Sequence, residues 1–190
     1  KLAIGFKKPQ FCLLLPKEYS SITYVIEPRD ICYSTYAIHH NDSLVCGEIQ
    51  DKHISGECFY QLSVKNDDLS LCEKTPKDYW YRWYRAKCLA YHALKKHDAS
   101  ICHLKTDKNY DYSCLIEYAS KSKDVKACLN IPDENFHELH SCFYNGLEKN
   151  KKSFCDSLSK PKRDICLDAY SVDAESKEHK DKCFAMLEKS

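Results

Sequence analysis

The sequence predicts an all-α chain, a disulfide-stapled α-solenoid of about six helical hairpins. Three observations lead there. The 190 residues include 13 cysteines, which fall into two alternating kinds with different local contexts. From each cysteine of the first kind to the next of the second, the step is 14 residues four times and then 13. Glycine and proline are scarce, at 4 and 6, and no stretch alternates apolar with polar residues as a half-buried strand does. Self-similarity at a period of 24 to 30 residues marks a repeat architecture.

The first kind comprises Cys32, Cys58, Cys88, Cys114, Cys142 and Cys166. Each is followed by an aromatic residue or Leu, and five residues on stands Ala37, Ser63, Ala93, Leu147, Ala119 or Ser171, small in all but one copy. The second kind comprises Cys46, Cys72, Cys102, Cys128 and Cys155. Asp42, Asp68, Asp98 and Asp124 lie four residues before the first four of these. Cys12 matches the second kind, because Cys12-Leu-Leu-Leu15-Pro16 resembles Cys128-Leu-Asn-Ile131-Pro132. Arg29-Asp30-Ile31-Cys32 recurs as Arg163-Asp164-Ile165-Cys166.

Taken in order, one helical-repeat domain over 1–190 divides at about 1–20 (partial), 21–50, 51–77, 78–106, 107–132, 133–160 and 161–190 (a degenerate cap). The copy at 111–131 shows why each reads as a hairpin. Cys114, Leu115, Tyr118 and Ala119 recur at helical spacing. A polar turn follows, and Asp124 stands where an N-cap carboxylate accepts a free backbone N–H. Val125, Cys128 and Leu129 then predict a second helix of roughly two turns, stopped by Pro132. The small residue five after the first cysteine lets helices approach closely. So short a second helix is marginal alone. A covalent staple in each repeat offsets this, contributing on the order of 3 kcal/mol.

Zinc and disulfides compete for the thiols. Structural zinc sites bring paired ligands about two to four residues apart. Here the closest cysteines are 11 apart; His103 and the pair His137 and His140 are the histidines placed to help. Disulfides are therefore expected, with no metal and no cofactor. Two connectivities remain open. Bonds inside the fixed segment would join 32–46, 58–72, 88–102, 114–128, 142–155 and 166–183. Bonds across the connectors would join Cys12–Cys32, Cys46–Cys58, Cys72–Cys88, Cys102–Cys114, Cys128–Cys142 and Cys155–Cys166, leaving Cys183 over. Axial arithmetic favours the second. Cys102 and Cys114 fall at one height on adjacent antiparallel segments, whereas Cys88 and Cys102 are offset by roughly 6 Å along the axis at 1.5 Å per residue.

So many thiols place the chain in an oxidising compartment: periplasmic, or otherwise extracytoplasmic or secreted. The net charge of +1 argues against nucleic acid. The longest aliphatic run is Leu13 to Leu15, so nothing spans a membrane. The start at Lys1 without Met suggests that a targeting segment or anchor has been removed. No GxGxxG, GxxxxGK[ST], GxSxG or HExxH is present, and no catalytic residue is assigned. Asn41-Asp42-Ser43 is a glycosylation sequon in a predicted turn.

The run Tyr79-Trp80-Tyr81-Arg82-Trp83-Tyr84-Arg85 stands apart. On a helix, Tyr79, Trp83, Ala86, Ala90 and Ala93 form one stripe, and Trp80, Tyr84, Cys88 and Tyr91 a second. Either this helix packs on both sides, or the run is a protein-binding patch. Tyr, Trp and Arg are the residue types enriched at binding hot spots.

The pattern of Asp, apolar residue and Cys, then a connector, then Arg-Asp-x-Cys-aromatic resembles cysteine-rich helical-repeat proteins of bacterial envelopes, from Cys12 to about Cys166. It is also similar to periplasmic type IV pilus assembly or stability factors, which carry a cysteine-bearing helical region after a membrane anchor. That resemblance implies a non-enzymatic protein that binds protein partners, and it brings no catalytic residues. The alternatives are a secreted effector or inhibitor and a metal- or redox-active cysteine protein. Thiol titration of the denatured chain discriminates among them: the disulfide reading expects about one free thiol, and many free thiols would favour metal or redox chemistry.

Overall fold

The structure, a computed structural model, describes residues 2–5, 7–16, 19–20, 25–26, 28–78, 82–103, 112–147 and 152–171. It is all-α and disulfide-stapled. The helices are α1 (Leu2–Gly5), α2 (Pro28–His40), α3 (Ser43–Gly47), α4 (Lys52–Asn66), α5 (Arg82–Lys96), α6 (Ser113–Ser122), α7 (Phe136–Gly146), α8 (Lys152–Asp156) and α9 (162–171). Four 3-10 turns join them: Pro9–Leu14, Leu69–Lys74, Ala99–His103 and Val125–Asn130. Two-residue strands β1 (Tyr19–Ser20) and β2 (Val25–Ile26) pair antiparallel, with Tyr19 opposite Ile26. Among the described residues no helix is long and apolar enough to cross a membrane.

Each hairpin pairs a long helix with a short arm, and the turn between them is built alike in four copies. Asn41, Asp67, His97 and Lys123 adopt left-handed backbone with φ of 59°, 55°, 52° and 58°. The next residue is the Asp of the repeat. Its carboxylate accepts the N–H of Leu44, Ser70, Ser100 or Lys126, at 2.9 to 3.2 Å. In the first three copies its own N–H donates back to the carbonyl of Ala37, Ser63 or Ala93, at 2.9 to 3.0 Å. That is the helix-closing bond of a Schellman turn. The small residue five after each cysteine is thus the acceptor that closes the helix. Ala37, Ser63, Ala93 and Ala119 are all buried without exposure.

The second arms correct one expectation. The two-turn α-helix predicted from Val125 to Pro132 is a single 3-10 turn, as are its counterparts at 69–74 and 99–103. The arms at Ser43–Gly47 and Lys152–Asp156 are short α-helices, so the second arm takes either form. The Asp cap satisfies the first free N–H, and the carbonyl of Cys12, Cys72 or Cys128 accepts from the residue three later.

Six disulfides join each short arm to the helix that follows: 12–32, 46–58, 72–88, 102–114, 128–142 and 155–166. These are the bonds across the connectors. Cα separations run from 5.4 to 5.8 Å. All these cysteines except the half-buried Cys32 are buried. Cys183 lies outside the described residues. So many disulfides indicate an oxidising, extracytoplasmic environment.

The chain divides into two compact parts, 1–92 and 93–190. In the first, Tyr36, Val45, Phe59, Leu62 and Leu71 surround the first two staples. Asp30 is buried and accepts the N–H groups of Gln50 and Asp51, at 3.0 and 2.7 Å, which fixes the start of α4. In the second, Leu115, Tyr118, Ile131, Leu139 and Phe143 form the core. Helices α6 and α7 approach so closely that a Cβ on Gly146 would stand 3.1 Å from that of Ala119.

Removing one staple should weaken the fold measurably. The double substitution Cys102→Ser with Cys114→Ser opens a short loop, so unfolding stability should fall by about 3 kcal/mol. For a chain of this size that lowers the melting midpoint by roughly 6–12 °C. An unchanged midpoint in a calorimetric scan would show that the staple carries no stability.

Candidate functional site

Helix α5 carries the aromatic run into the structure and divides it. Trp83 is 43% exposed, whereas its neighbour Tyr84 is 1% exposed. The two rings lie 3.9 Å apart, tilted by 30°. Tyr84 enters because Gly56 on α4 leaves room: a Cβ there would meet the Tyr84 ring at 2.6 Å. The Tyr84 hydroxyl reaches the ring of His53, 2.9 Å from Nδ1. His53 stands edge-on to both Tyr84 and Trp83, at 5.3 and 6.3 Å. The Lys87 ammonium lies 4.4 Å from the Tyr60 ring centre and 5.6 Å from that of Trp83, within cation–π range. Lys52 and Asp78 form an exposed ion pair. The result is an aromatic platform with one exposed indole, supported from below by a buried phenol.

The other candidates of the run are not equivalent. Arg85 is tied to Glu73 through both carboxylate oxygens, at 2.9 and 3.0 Å, and its side chain is only 12% exposed. It holds the helix to the preceding short arm. Arg82 is half-buried. Tyr79, Trp80 and Tyr81 lie outside the described residues.

A second cluster sits beneath, at the Cys72–Cys88 staple. The Nε2 of buried His92 lies 2.7 Å from the Ser63 hydroxyl, and its Nδ1 3.6 Å from the Asp67 carboxylate. This has the composition of a hydrolytic triad, but its serine and histidine are closed off from solvent. The Ser63 hydroxyl also lies 2.8 Å from the Asp68 carbonyl, a second acceptor for its one proton. The trio works as a clamp between α4 and α5.

Cys72, Cys88 and His92 bring their ligand atoms within 4.8 Å of one another, the single such group among the described residues. Both sulfurs are committed to the disulfide, which leaves no thiolate for a metal. His103 and His137 are exposed, and His140 faces Asp168 at 3.4 Å. Asn41 of the sequon is exposed in its left-handed turn.

Sequence reasoning passed over His92 and His53. A signal for His92 was present. Four residues after each first-kind cysteine stand Tyr36, Leu62, His92, Tyr118, Gly146 and Tyr170, so His92 is the one imidazole in that column. Ser63 likewise replaces the Ala of Ala37, Ala93 and Ala119. The two polar replacements sit in adjacent repeats and bond each other. His53 carried no such mark. Comparison with protein families, curated proteins and solved structures finds no match to this chain.

The Tyr84 phenol is pushed up to about 12, chiefly by burial and then by Glu57 and Asp51. The folded chain therefore holds this proton more tightly than the unfolded chain. Stability owed to it is intact below about pH 10 and is lost as pH rises toward 12. Urea midpoints measured across that window should decline, and less steeply in Tyr84→Phe. Equal slopes would show that Tyr84 is not held in this way.

Proposed function

We propose that the chain is a non-catalytic helical-repeat scaffold of a periplasmic or secreted setting that works by binding a protein partner through Trp83. One observation carries this reading: a large indole left exposed on a helix whose neighbouring aromatic, arginine and cysteine are all fixed inward. Tyr84, Arg85 and Cys88 set the rotation of α5, so the exposure of Trp83 follows from a rigid frame. A rigid aromatic anchor loses little entropy on binding and is the residue type that dominates interface energetics. Lys87, Tyr60 and His53 surround it with mixed cationic and aromatic contacts. The non-catalytic part of the reading is supported by the complete burial of Ser63 and His92. Within a bacterial envelope the partner would be a component of pilus assembly, as the resemblance implies.

Capture from periplasmic or culture-medium extract tests it. A partner retained by the wild-type protein should be lost by about tenfold or more with Trp83→Ala, because an anchor residue contributes about 2 kcal/mol or more. Leu44→Ser, an exposed leucine elsewhere, should leave capture and melting midpoint unchanged. Undiminished capture by Trp83→Ala, with its fold intact, rejects the assignment.

A further inference from the structure

The first short arm, Pro9–Leu14, differs from the later arms in carrying leucine at both positions after its cysteine. In register, the two residues after the arm's cysteine are Gly47 and Glu48, Glu73 and Lys74, Leu129 and Asn130, and Asp156 and Ser157. All of these are exposed, so the repeat turns both positions to solvent by construction. The first arm fills both with leucine: Leu13 is 55% exposed and Leu14 74%. Leu15 follows at 38%, where its counterparts Ile49, Thr75 and Ile131 are buried. A lone exposed leucine such as Leu44 needs no explanation, but a contiguous exposed run does. Packing does not require a pair of leucines here, since every later arm carries at most one, Leu129 in the arm at 125–130 and Leu104 after His103.

Among the described residues, the charge that lines the groove beside the run is one-sided. An open groove of about 680 Å³ beside it is lined by Lys7, Lys8, Pro9, Gln10, Phe11 and Leu14. The lining carries two lysines, both exposed, and no carboxylate. We propose that this end of the chain docks on an anionic lipid surface. Leu13 and Leu14 would enter the boundary between headgroups and acyl chains, and Lys7 and Lys8 would meet lipid phosphates. Leucines that protrude from a turn suit a deformable interface, and flanking cations select anionic headgroups. This is attachment to a surface, and it needs no spanning helix.

Vesicle co-sedimentation of the full chain tests the proposal. Vesicles of phosphatidylcholine with about 30% phosphatidylglycerol should retain the protein at least about tenfold better than phosphatidylcholine alone, since each lysine near such a surface favours binding several-fold. Raising salt from about 0.1 M to about 0.5 M should release it. Leu13→Ser with Leu14→Ser should lower retention about tenfold. Lys7→Gln with Lys8→Gln should lower retention and remove the salt dependence. Circular dichroism melts should match wild type for both variants, because every substituted side chain is exposed. Failure of the wild-type protein to bind anionic vesicles overturns the proposal, as does undiminished binding by the leucine variant. Leucine-dependent capture of a protein without vesicle binding assigns the face to a protein partner and also overturns it.

Discussion

One covalent link per repeat, from a short arm to the helix that follows it, is the constraint on which the fold depends. An arm of five or six residues makes too few backbone hydrogen bonds to hold itself. Its apolar side chains are few: Val45 in one arm, Leu71 in the next, Ile101 in the third. The disulfide ties the arm to a longer helix and restricts the unfolded chain at the same stroke. It also fills the space between them. Cystine sulfur occupies the positions where another helical repeat would place leucine, and apart from Cys32 it is out of reach of solvent.

The staples do not explain why the step between cysteine kinds is constant; the closure of the helix does. From a first-kind cysteine the chain runs five residues to the small acceptor, four more to the left-handed residue, one to the capping Asp and four to the next cysteine. Each interval is fixed by a hydrogen bond or by the backbone turn. Changing it would misplace the sulfur relative to its partner. The exceptional step of 13 falls where the helix ends differently. Leu147 follows α7 in extended backbone, with φ of −70°, and its N–H bonds to Phe143. A different closure gives a different count.

The hairpins, the caps and the stapling partners were legible because all three obey a period that survives sequence variation. The helix type of the second arm was not. Val125, Cys128 and Leu129 recur at spacings that suit a 3-10 turn and an α-helix equally, and the arms themselves divide, α-helical at 43–47 and 152–156 and 3-10 at 125–130. Environment was less legible still. Arg29-Asp30-Ile31-Cys32 and Arg163-Asp164-Ile165-Cys166 are the same four residues, yet Asp30 is buried under the start of α4 while Asp164 is exposed beside Lys160 and Arg163. Ile31 is exposed and Ile165 buried. Identical local sequence meets different neighbours, and only the packed structure tells them apart. The clamp of Ser63 and His92 lies between these cases: it is a tertiary contact, but the repeat register marks both residues as departures.

A core held by sulfur also changes what the surface is free to display. Where a fold depends on its large apolar side chains for stability, those side chains are drawn inward, and an exposed one is a loss. Here the staples carry much of that burden, so Trp83 can stand outside without weakening the helix it sits on. The arrangement beneath it points the same way. Gly56 gives up its side chain to admit Tyr84, and Tyr84 then supports the indole from below. If bulk alone were to be buried at this point, the larger indole is the group that would gain most from the space Gly56 opens. The phenol takes the inner place instead, with its hydroxyl on His53, and the indole is left where a partner can reach it.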